Sequence, residues 1–184
     1  MSYNTELQNN NQELRGILED VNNLPDAGDS SSLDAFIVGS VTEVKSNAAT
    51  IRQYIAYSVE SITSIDFPNA TSIGQRAFYG CTSLANVNIP KVTSIDSLAF
   101  GSCFVLQSIA LPSVKSIGQR AFSGCECVLF DFSGCTEVPV LNGSGTTLGL
   151  IDTIGGEIIV PAALYDEWIV ATNWSFYADY IVSA

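Results

Sequence analysis

Five cysteines and a scatter of carboxylates are the side chains here with the means to do chemistry. Cys81, Cys103 and Cys125 recur every 22 residues, and Cys127 and Cys135 follow closely. A thiol set of this size invites a zinc or disulfide reading. The spacing argues against zinc: Cys125-Glu126-Cys127 lacks the two-residue gap of a zinc knuckle, and the chain contains no histidine. The missing histidine also removes Ser-His-Asp and Cys-His nucleophile systems. Asp66, Asp131, Glu126 and Glu137 would have to meet as a pair about 5 to 10 Å apart to hydrolyse a glycoside; dispersed along the chain, they read as solvated surface. The run Asn142 to Gly149 is glycine-rich but lacks the Gly-Lys-Ser/Thr ending of a phosphate loop, and reads as a turn. No catalytic residue, metal or cofactor is therefore assigned.

What positions the cysteines is a phrase written three times without insertion: Ser61 to Thr82, Ser83 to Phe104 and Val105 to Glu126. Ile65, Phe67, Pro68, Ile73, Ala77, Phe78 and Cys81 return as Val87, Ile89, Pro90, Ile95, Ala99, Phe100 and Cys103. They return again as Ile109, Leu111, Pro112, Ile117, Ala121, Phe122 and Cys125. A 22-residue unit cannot bury its own apolar side chains, so it must stack on its neighbours. The expected fold is a repeat solenoid of short parallel strands joined by loops and short helical turns. Stacking sets equivalent cysteines about 5 Å apart with parallel side-chain directions, a poor geometry for disulfides, and predicts a buried thiol ladder.

Each V-x-I-P stretch, as in Val87 to Pro90, reads as a strand ended by proline. With Val87 and Ile89 inward, period two turns Asn86 and Asn88 outward, and likewise Ser64, Asp66, Ser108, Ala110 and Asp131. Asp66, Asn86, Asn88, Ser108 and Asp131 are accordingly the candidate ligand-binding residues. Gln75-Arg76 and Gln119-Arg120 share another repeat position, where they either touch a ligand or pair locally with acids.

Around the array, residues 1–25 carry Leu7, Leu14 and Val21 at one heptad position and Ile17 and Leu24 at another, with polar Asn10 completing the second set. That seam predicts a helix that self-associates, most simply as a trimer, or else one that docks on the repeats or stays a frayed arm. Residues 26–32 read as a linker. Residues 33–60 form a degenerate entry unit, its second half in register with the repeats and its first half, Phe36 to Val44, not matching them. Repeats occupy 61–141. Residues 142–184 are the expected α/β cap, with a strand at Glu157–Val160, Pro161 opening a helix over Ala162–Ala171, and Trp168, Trp174, Tyr177 and Tyr180 as capping core or, alternatively, a sugar-stacking platform.

Composition narrows the partners. With 7 Lys plus Arg against 19 Asp plus Glu, the formal charge is −12, which repels nucleic-acid backbones and anionic lipid. The N-terminal residues show no export signal and no stretch is apolar enough to insert in a membrane.

The pattern L-x-x-V-x-I-P-x-x-x-x-x-I-x-x-x-A-F-x-x-C, seen from Leu84 to Cys103, resembles the BspA-like, bacterial surface-antigen type of leucine-rich repeat. The likeness runs in register from Ile51 to about Phe132 and loosely to the end. It implies a curved solenoid that binds without catalysis, often in adhesion. Residues Met1 to Pro25 are similar to N-terminal segments of phage and prophage tail-associated proteins of gut bacteria, several of which carry this repeat. The reading that follows is a virion tail component whose partner is a protein or glycan on a bacterial surface. The alternatives are a cell-surface or secreted adhesin for host protein, and a structural part joining other particle proteins.

Overall fold

The structure, a computed structural model, describes residues 42–45, 47–143, 147–149, 151 and 155–184. The heptad positions Leu7, Asn10, Leu14, Ile17, Val21 and Leu24, the linker at 26–32 and most of the entry unit's first half lie outside the described residues.

Each repeat contributes one strand to each of two faces and a turn to a third. On the first face β1 (Glu43–Lys45), β3 (Ser64–Asp66) and β5 (Asn86–Asn88) pair in chain order; β7 (Ser108–Ala110), β9 (Leu129–Asp131), β11 (Glu157–Val160) and β12 (Ile181–Ser183) continue it. The second face stacks β2 (Thr50–Ile51), β4 (Ser72–Ile73), β6 (Ser94–Ile95), β8 (Ser116–Ile117) and β10 (Val140–Leu141) without interruption. All pairings are parallel, and repeat-equivalent residues face each other, as in Ile65↔Val87 and Ile73↔Ile95. Among the described residues the third face has no strands. Successive turns are tied by bonds such as Ala56 N–H to Ala77 O, Phe78 N–H to Ala99 O and Phe100 N–H to Ala121 O, each 2.8 Å.

The shared core is built of columns. Phe78, Phe100 and Phe122 are fully buried and stack ring on ring at 5.5 and 5.4 Å. Cys81, Cys103 and Cys125 form a second buried column, each Sγ–H donating to a carbonyl of the preceding unit: Ala56, Phe78 and Phe100, at 3.0–3.2 Å. Burial pushes the Cys81 and Cys127 thiols up to about 12. The expected thiol ladder is thus a packing device whose weak donors satisfy turn carbonyls.

Two boundaries differ from the sequence expectation. The entry unit's first half does reach the ladder: Val44 pairs with Ile65, 21 residues on, so one missing residue hides it from a strict 22-residue comparison. The helix expected over Ala162–Ala171 is shorter, a 3₁₀ turn at Ala162–Leu164 running into α1 at Tyr165–Trp168, with Pro161 just outside it. Beyond it Trp174 caps the core: its indole N–H donates to Pro139 O at 2.7 Å, and its ring meets Trp168 at 4.4 Å and Phe132 at 5.4 Å. Trp168, Trp174 and Tyr177 are buried, so the capping-core alternative holds over the sugar platform.

Candidate functional site

The candidate site lies on the first face. Residues that alternate outward along β1, β3, β5, β7 and β9 line an open depression of ≈500 Å³, and Asp66, Asn86, Asn88, Ser108 and Asp131 all lie on it. Parallel register makes two outer rows, Glu43–Ser64–Asn86 and Lys45–Asp66–Asn88. The inner row between them is buried at Val44, Ile65 and Ile109.

These side chains are not equally available. Asn88 Nδ2 donates to Asp66 Oδ1 at 2.7 Å, Lys45 pairs with Glu43 at 2.9 Å, and Asp131 Oδ1 accepts the Ser133 N–H at 2.9 Å. Asn86 and Ser108 are exposed and their side chains have no hydrogen-bond partner among the described residues. Asp66 and Asp131 stand three strand steps apart on this face, about 15 Å at ordinary strand spacing, too far for paired-carboxylate hydrolysis at about 5 to 10 Å.

Sequence pattern alone does not reveal the central feature of this face. β5 and β7 are neighbours, yet no backbone hydrogen bond joins them, and the ladder divides there into three- and four-stranded parts. The same two repeats stay bonded on the other faces, through β6–β8 and through Phe100 N–H to Ala121 O. Since β5 pairs towards β3 through Asn86 and Asn88, alternation turns the N–H and C=O of Val87 and the N–H of Ile89 towards the opening. Val87 is half-buried where Ile65 and Ile109 are 2% and 3% exposed. Asn86 and Ser108, the two unengaged side chains, flank this seam. The three phrases match in length across it, so nothing in their periodicity marks it.

The arginine pairs lie elsewhere, on the turn face. Arg76 Nη1 donates to Tyr54 OH at 2.8 Å, and so pairs with a phenol and not with an acid. The Arg120 side chain has no partner among the described residues. No group of three or more potential metal ligands gathers among the described residues, and no described helix is long and apolar enough to cross a membrane.

A family model described as the BspA type leucine rich repeat region matches residues 38–138 in six copies. Among solved structures, a T. pallidum leucine rich repeat protein, TpLRR, is similar at 17% identity and a TM-score of 0.39, over 66% of this chain and 86% of that one. No curated protein matches the chain.

Proposed function

This chain belongs to the BspA type leucine-rich repeat family, and from that premise we propose a non-catalytic recognition module whose first face contacts a protein or glycan on a bacterial surface. The observation that supports this is the seam: two unengaged polar side chains, Asn86 and Ser108, beside backbone donors and acceptors that no strand uses. A ligand rich in hydroxyls or amides can satisfy all of them at once. The frame around them is stiff, so little ordering entropy is lost on binding. Each contact is worth about 0.5–1.5 kcal/mol, which makes a single face weak. Multiplication by a self-associating N-terminal segment through Leu7, Leu14, Ile17, Val21 and Leu24 would raise it to useful avidity. Display on a phage or prophage tail is the setting we propose for such an oligomer.

The test is a glycan and protein array, with whole bacterial cells, probed with the intact chain and its Asn86→Ala and Ser108→Ala variants. Each variant is expected to weaken binding by about 2- to 10-fold, the range one hydrogen bond supplies. Unchanged binding in both variants refutes the face. Glycan turnover abolished by Asp66→Asn would refute the non-catalytic reading. Light scattering checks the oligomer: a monomeric full chain removes the avidity.

A further inference from the structure

A second site lies on the turn face, away from the seam. There the repeats leave a trough of ≈680 Å³ lined by Tyr57, Arg76, Tyr79, Leu98, Ser102, Arg120 and Ser123. In a chain of formal charge −12, this trough has two guanidinium groups in its lining and, among the described residues, no carboxylate. Lys45 and Lys115, by contrast, are paired with Glu43 and Glu137. We propose that the trough binds an anionic glycan, with Arg76 and Arg120 each taking one acidic group.

The geometry sets the kind of anion. Arg76, Leu98 and Arg120 are repeat-equivalent, all held in the left-handed region at φ 52°, 58° and 57°. Turn-to-turn bonds fix their backbones: Arg76 N–H to Ser97 O and Leu98 N–H to Gln119 O, both 3.1 Å. The two arginines are therefore two stacking steps apart, about 10 Å along the array at ordinary strand spacing. Duplex nucleic acid carries a charge every ~1.7 Å, and at that density the chain's own negative charge repels it. A polymer with one acidic sugar in every two matches the arginine spacing and brings far less charge.

The rest of the lining favours a saccharide over a peptide. Tyr57 and Tyr79 stack at 5.3 Å with their planes 13° apart. The Tyr79 ring lies over Gly101, where a Cβ would come within 2.8 Å of it. This holds the phenols in place on a trough that Ser102 and Ser123 also line, groups suited to sugar hydroxyls. The backbone of this face is consumed in the turn ladder, with Ser58 N–H to Tyr79 O, Gly80 N–H to Gly101 O and Ser102 N–H to Ser123 O. No strand edge is offered for a peptide to extend. Arg76 is preset by Tyr54, through its hydroxyl at 2.8 Å and its ring at 5.8 Å.

Calorimetry on the full chain tests this, using an octasaccharide of alternating uronic acid and neutral amino sugar, its carboxyl-reduced form, a polyol-phosphate oligomer and an oligoglutamate. The acidic octasaccharide should bind at least tenfold tighter than its reduced form. Arg76→Gln and Arg120→Gln should each weaken it fivefold or more, while Asn86→Ala and Ser108→Ala leave it unchanged and so keep this site distinct from the first face. Two ion pairs predict a log–log salt slope of roughly −1 to −2. Equal binding of the polyol phosphate assigns the anion as phosphate or carboxylate; its failure assigns carboxylate. The proposal is overturned if the reduced sugar binds equally, if the double arginine variant retains binding, if oligoglutamate binds and the sugars do not, or if no anionic probe binds.

Discussion

Replacing Phe100 by alanine should divide the array. Its ring is fully buried and stacked between Phe78 at 5.5 Å and Phe122 at 5.4 Å, nearly parallel to both at 15° and 5°. Truncating a buried phenylalanine costs about 3–5 kcal/mol in lost transfer energy and residual cavity. Collapse to fill the space is resisted here because both neighbouring repeats are tied to this one through the turn ladder and β4–β6–β8. The upper half of that range, about 4–5 kcal/mol, is therefore expected. A whole domain is stable by about 5–15 kcal/mol, and repeat stability resides in nearest-neighbour interfaces. The variant should thus lose most of its stability and unfold in two steps in guanidinium, the units before and after the lesion melting separately. Phe104→Ala is the internal control. That ring is 48% exposed, so its loss should change stability by no more than about 0.5 kcal/mol. If the two variants shift the midpoint equally, or Phe100→Ala costs under about 2 kcal/mol in a single transition, the columnar core does not carry the stability.

Three further outcomes follow from the same geometry. Folded Cys81 and Cys127 hold their protons up to about pH 12 against an ordinary value of 9.0, because burial disfavours the thiolate. Between pH 9 and 12 the unfolded chain releases those protons first, so stability present in full below pH 9 should fall steadily as the pH rises through that window, measured by denaturant titration across it. Hydrogen exchange should find the Val87 and Ile89 amides, turned into the seam, orders of magnitude faster than Leu111, whose N–H donates to Asp131 O at 2.8 Å; equal protection would close the seam. Ser102 sits at φ 60°, where the equivalent positions one repeat to either side are Gly80 and Gly124 at φ 76° and 81°, so Ser102→Gly should raise stability by up to about 1 kcal/mol, read from the thermal midpoint.

How much was legible from the residues depended on which force sets each feature. The core columns follow from apolar identity at fixed period, and Ile73, Ala77, Phe78 and Cys81 are buried with their counterparts in the next two phrases. The outward rows follow from strand alternation, which places Asp66, Asn86, Asn88, Ser108 and Asp131 together on one face. Where the count slips, pattern comparison fails although the physics does not. Val44 lies 21 residues from Ile65, and Leu141 lies 24 from Ile117, yet each takes its place in a ladder. A parallel ladder requires an inward apolar residue opposite another, and the loops between strands absorb the difference in length.

The seam and the trough escaped the sequence for a different reason, because both arise between repeats. Asn86-Val87-Asn88 and Ser108-Ile109-Ala110 are each acceptable strand segments; their failure to bond is a property of how two units meet, while their second-face and turn contacts stay closed. Arg76 and Arg120, 44 positions apart, were legible as one repeat position open to a ligand or to local pairing; the trough that joins them across two stacking steps, with Leu98 between them, was not. One sign was available: Tyr54, Tyr57, Tyr79, Arg76 and Arg120 crowd two turn positions of the repeat. An array that needs only solubility on its turn face has no use for aromatic bulk there. Their concentration on a single face of an acidic chain, with the Arg120 side chain unpaired among the described residues, is the observation that supports the contact proposed there.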